Sequence, residues 1–231
     1  MVWTVIIAST LLGAAASWSV QTSSDAFKYL LAFSGAFLFG MLFTHLIPEV
    51  FQSRLPHIGW WILAGFGVQL LLDYLSKGLE HGHLHLHENT LPLLPILGLL
   101  LHSFFEGMPL GEGQNHHDHL HHTNPGLLWS VALHKFPIAI LVTSALRKAR
   151  LSAPLIAGAV ILFAISAPLG HEAAQWVMTS VESEARILAF TIGLLIHVST
   201  TILFESAANH QFNLLKLLFV ALGIGLSAFF M

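Results

Sequence analysis

Leu101-His102-Ser103-Phe104-Phe105-Glu106-Gly107 lies in the middle of an apolar segment, with Leu99 and Leu100 before it and Met108-Pro109-Leu110 after it. His102 and Glu106 are four residues apart, so on a helix they share one face. An imidazole and a carboxylate inside a membrane helix are costly unless they face the bundle interior, and by default they mark a function. A second stretch answers the first: Leu133-His134-Lys135-Phe136-Pro137. The two helices are expected to face each other and to hold a divalent metal on a transmembrane path. Imidazole plus carboxylate suits Zn²⁺, and also Fe²⁺, Mn²⁺ or Co²⁺. The alternative is an interhelical hydrogen bond between His and Glu that holds the bundle together.

Composition supports a membrane setting. The chain has 231 residues, of which 55% are hydrophobic and 9% charged, against about 25% charged in soluble domains. Lys and Arg total 9 and form no long basic run, which excludes nucleic acid as a partner. Cysteine is absent, so a metal site must draw on His, carboxylate, Ser or amide groups. The first apolar run has no basic segment before it, so Trp3 to Val20 is read as a retained helix and not as a cleaved signal peptide.

Crossing a bilayer takes about 20 mostly apolar residues. Eight such segments are expected, at roughly 2–20, 27–51, 57–79, 91–113, 125–146, 152–178, 186–208 and 212–231. The predicted fold is therefore all-α: an integral membrane bundle of eight transmembrane helices, one domain spanning 1–231, with both termini on one side. Gly35, Gly40, Gly158 and Gly170 suit close helix contact. With the N-terminus outside, the inner flanks hold Lys28, Lys77, Arg147, Lys148, Arg150 and Lys216, and the outer flanks hold Arg54 and Arg186. The positive-inside rule then favours outside termini. The compact chain points to a cell membrane, and to a bacterial inner membrane. Its lipid partner is the bilayer itself.

Other polar groups fall along the spans. His45 and Glu49 share a face near the outer end of the second segment, with Pro48 between them, and suit either an entrance relay for metal or a structural kink. His197 lies in mid-span in the seventh segment, as a further ligand or as a His bonded to a neighbouring carbonyl. Ser199, Thr200 and Thr201 read as packing groups, and His171-Glu172 as interfacial. Asp73 reads as an exit-lining group or a partner of Lys77, and Glu205 as a solvated helix-end carboxylate. Two His-rich loops, at 81–88 and 114–124, suit weak gathering of metal near each mouth, or simply a polar connection.

His102-Ser103-x-x-Glu106-Gly107 and His134-Lys135-x-Pro137 resemble the fourth- and fifth-helix motifs of the ZIP (Zrt/Irt-like) metal transporters. The stretch from Gly40 to Glu49, ending His45-Leu46-Ile47-Pro48-Glu49, resembles that family's second-helix ending. The resemblance implies eight helices, outside termini, a His-rich loop after the third helix and, often, a homodimer. It also implies a metal centre, onto which His102, Glu106 and His134 map, with Ser103 at the position of a family Asn. Family members commonly hold two metals, with acidic groups on the fifth and sixth helices. Here those positions are Lys135, Ile138 and Ala167-Pro168, so the first site lacks one carboxylate and the second is lost. In the second site's place the Lys135 ammonium is expected to balance Glu106 and its surroundings; a Lys that snorkels or pairs elsewhere is the alternative.

The function expected on these grounds is transport of divalent metal, zinc before iron, manganese, cobalt or cadmium, towards the cytosol. The site residues are His102, Glu106, His134, Ser103, His197, His45 and Glu49, with Lys135 as a charge on the path. The metal is substrate, and no prosthetic group or enzymatic activity is expected. Two other readings stand beside it. One is an intramembrane zinc-dependent hydrolase, weakened by the lack of a His-Glu-x-x-His pair. The other is a metal sensor without transport.

Overall fold

The computed structural model describes residues 1–76, 92–111, 125–205 and 214–230. Lys77 and both His-rich loops lie outside the described residues. Within them the chain is all-helical. We number eight helices: α1 (Val2–Ala16), α2 (Asp25–Gln52), α3 (Ile58–Ser76), α4 (Leu93–Gly107), α5 (Pro125–Lys148), α6 (Ala153–Val177), α7 (Val181–Glu205) and α8 (Leu214–Ser227). The segments α2 to α7 are long and apolar enough to cross a membrane, counting for α4 the 3₁₀ turn Met108–Leu110 that follows it. α1 and α8 are shorter than expected, with 15 and 14 residues. At about 1.5 Å per residue the described stretch of each is shorter than a core of about 30 Å.

Caps explain where several helices begin. Ser24 accepts a hydrogen bond from the Phe27 amide at the head of α2, where Asp25 also complements the helix dipole. α7 begins before the expected 186. Ser180 and Ser183 exchange bonds between side chain and amide at 3.0 and 3.1 Å, and Glu182 and Glu184 occupy the first turn. These charged residues are poor membrane groups but good helix starters.

α2 is interrupted. Pro48 has no amide hydrogen for the Thr44 carbonyl, and the helix widens into a π-turn over Leu42–Leu46, so that the Ile47 amide bonds the Leu42 carbonyl.

The packing divides into two groups. α1, α4, α5 and α6 pair among themselves (α1 with α5, α4 with α6, α1 with α6, α5 with α6), and so do α2, α3, α7 and α8 (α3 with α7, α2 with α8, α2 with α7). Contacts of α2 with α5, α3 with α4 and α4 with α7 join them. Exchanging α1 with α6, α2 with α7, α3 with α8 and α4 with α5 maps the main pairings within each group onto one another. Among the described residues this pairing suits a repeated design, departed from where the contact of α3 with α4 has no counterpart of its size between α8 and α5.

Two matching clamps make the symmetry concrete. The Ser9 hydroxyl on α1 donates to the Ala132 carbonyl on α5 at 2.5 Å, and Gly13, one turn later, abuts the Phe136 carbonyl. The Ser166 hydroxyl on α6 donates to the Leu100 carbonyl on α4 at 2.6 Å, and Gly170 abuts the Phe104 carbonyl. A Cβ at either glycine would overlap backbone, so only glycine permits the approach. Of the other glycines expected in contacts, Gly35 meets Ile202 and Gly40 meets Ser227, but Gly158 has nothing within 4 Å.

Candidate metal centre

The clamped carbonyls lie two residues before and two after His102 on α4, and two before and two after His134 on α5. Each clamp therefore sets the depth of its histidine. One ligand atom each from His102, Glu106 and His134 lies within 4.8 Å of the others, and all three residues are buried. Among the described residues this is the one group of three or more His or carboxylate side chains close enough to hold a metal. The His102 Nε2 to Glu106 Oε2 distance is 4.0 Å.

Lys135 closes the other side. Its Nζ lies 3.5 Å from Glu106 Oε2, donates to Ser103 Oγ at 2.6 Å, and sits 4.2 Å from the Phe163 ring centroid on α6. Lys135, Glu106 and Ser103 are each at most 1% exposed. A buried carboxylate needs a counter-charge, and the ammonium supplies one to Oε2. Oε1 of Glu106 is buried with no hydrogen bond. The centre thus offers two imidazoles, one carboxylate and a fixed ammonium.

Gln69 was not among the sequence candidates. Fully buried on α3, it places Oε1 2.8 Å from His102 Nδ1. A lone amide in an apolar helix was the available signal, but its partner is 33 positions away. Phe163 likewise gave no sign beyond being one aromatic among 17 Phe.

The remaining candidates lie apart from this group. His197 on α7 is largely buried and meets the Phe66 ring edge-on at 5.4 Å. The Thr200 and Thr201 hydroxyls donate back to the His197 carbonyl, as packing groups do. His45 sits in the π-turn. The Thr44 hydroxyl donates to the Gly40 carbonyl, and its oxygen meets His45 Nδ1 at 2.5 Å. Glu49, one turn beyond, is exposed. His171 Nε2 is 4.0 Å from Glu172 Oε1, which also accepts from Trp3 Nε1 at 2.8 Å, beside a cavity of about 260 Å³. Ile138 and Ala167 are buried apolar residues, the latter against Gly107.

No curated protein matches the chain. The family model described as ZIP zinc transporter matches residues 77–231, a stretch that holds His102, Glu106, His134 and Lys135 and begins after α3. That match covers most of the chain, and with the helical membrane bundle it shows that this protein belongs to the ZIP zinc transporter family, a family of metal carriers.

Proposed function

We propose that the chain is a single ZIP-like domain that carries zinc across a cell membrane towards the cytosol, bound in transit by His102, Glu106 and His134. The observation that carries this reading is the buried three-residue group on two facing helices. A site in mid-bundle is what alternating exposure to the two sides requires, and movement of one helix group against the other provides it. The zinc preference rests on two imidazoles and one carboxylate, a donor set that iron, manganese, cobalt and cadmium share in part. The direction rests on the basic flanks, which favour outside termini.

Lys135 has its own role in this proposal. Its ammonium stands where a second metal ion would complete a two-metal centre, and it holds Glu106 ready between loads. His45 and Glu49 serve as an entrance relay, His197 as a reserve ligand, and the two His-rich loops as weak metal buffers.

The test is zinc and cadmium uptake into proteoliposomes. Glu106→Ala and His134→Ala are each expected to reduce uptake at least about 100-fold, consistent with the loss of one of three ligands from a buried site. Uptake that survives both changes would put the path elsewhere, and binding without uptake in the wild type would make the chain a sensor.

A further inference from the structure

A polar contact between the two helix groups lies at the metal centre, and its α3 partner lies outside the stretch that the family model matches. Gln69 rides on α3, in the group of α2, α3, α7 and α8, while all three candidate ligands ride on α4 and α5 in the other group. Its Oε1, 2.8 Å from His102 Nδ1, can only accept a hydrogen. Nδ1 of the neutral ring therefore carries the proton, and the lone pair falls on Nε2. Nε2 is the atom that faces Glu106. A partner on the far nitrogen fixes the tautomer, orients the ring and raises the basicity of the metal-binding nitrogen.

We infer that Gln69 makes metal affinity depend on how the two helix groups sit. In the arrangement seen here it aims His102 at the metal. When the ligand-bearing group moves against the other, α4 leaves α3, His102 loses its amide partner, and the site loosens its hold on the ion. Affinity falls because the support stays behind while the ligands travel. This rests on the transport reading above, and it adds to it the device that ties release to movement.

The experiment measures Cd²⁺ binding by calorimetry on the purified full chain. Gln69→Leu removes the acceptor and is expected to weaken binding about 10- to 100-fold. Gln69→Glu keeps an acceptor at the same reach and is expected to stay near wild type, a rescue that a packing role would not give. Movement is tested with a disulfide, since the native chain has no cysteine. A Cβ at Gly98 on α4 would lie 3.3 Å from the Ser76 Cβ on α3, near the roughly 3.5–4.5 Å of a disulfide. Oxidised Ser76→Cys/Gly98→Cys protein, its thiols consumed in the disulfide, should bind Cd²⁺ as tightly as the cysteine-free wild type, yet transport none until the disulfide is reduced, while Gly98→Cys alone transports. Gln69→Leu binding like wild type overturns the inference, and so does full transport by the oxidised pair. Wild-type binding that survives Glu106→Ala overturns the site itself; binding lost in Glu106→Ala but kept in Gln69→Leu overturns the Gln69 role alone.

Discussion

The α4–α6 pair and the α5–α1 pair have one backbone design and opposite chemistry. Each has a Ser-x-x-x-Gly face, Ser166 to Gly170 on α6 and Ser9 to Gly13 on α1, that grips the carbonyls on either side of a histidine. In register from those histidines, Ser103 corresponds to Lys135 and Glu106 to Ile138. One half brings a hydroxyl and a carboxylate, and the other brings an ammonium and an alkyl group. The halves then complete each other: Lys135 donates to its own counterpart, Ser103, and lies 3.5 Å from Glu106. The comparison teaches that packing symmetry sets the depth of the two histidines, while the halves differ in charge; under the proposed function that difference leaves room for one dication and not two.

The strongest way to break the comparison is at the glycines. Gly13→Leu and Gly170→Leu are each expected to abolish recovery of folded protein in detergent, because the new side chain meets backbone that cannot retreat. Gly158→Leu, facing open space, should purify and melt like wild type. A tolerated Gly13→Leu beside a lethal Gly170→Leu would show that the two clamps are not equivalent.

A smaller effect is expected from the charge that separates the halves. Lys135→Met leaves the buried Glu106 without its ammonium, so the metal-free protein should lose stability on the order of 3–5 kcal/mol and melt at a lower temperature. The same change removes repulsion between an ammonium and a dication a few ångströms apart. Cd²⁺ affinity should therefore rise at least about tenfold, and added Cd²⁺ should restore the melting temperature. Unchanged affinity by calorimetry would remove Lys135 from the site's electrostatics.

The mildest test sharpens the symmetry. Ser9→Ala and Ser166→Ala each delete one hydroxyl-to-carbonyl bond between helices, worth about 0.6 kcal/mol in membrane proteins. Both should lower thermal stability slightly and by similar amounts, with uptake retained. A large loss in only one of them would show that its carbonyl has a second duty.

Much of this was readable from local spacing. His102 and Glu106 declare themselves by their separation of four in an apolar run, and His134 by its place in the next run. The eight helices follow from hydropathy. What was not readable depends on contacts between distant segments. Gln69 is an isolated amide until α3 lies against α4, and Ser9 and Ser166 are ordinary hydroxyls until their carbonyls are known. Lys135 could be expected to need a carboxylate, but its grip on Ser103 and its place against Phe163 depend on the fold. The early start of α7 was missed because Glu182 and Glu184 lower hydropathy while their position favours a helix N-terminus.

The serine and glycine clamps turn the ligand-bearing helices into a cartridge. Sliding either pair along its axis would break a hydroxyl bond and drive a glycine into backbone, so in the proposed movement each histidine keeps its depth against its partner helix wherever the cartridge travels. On the transport reading, a site held this way has little freedom to change its preference among ions by stretching or tightening in mid-journey. On the proposed transport reading, its selectivity is set once, when the helices assemble, and what makes it let go comes from outside the cartridge.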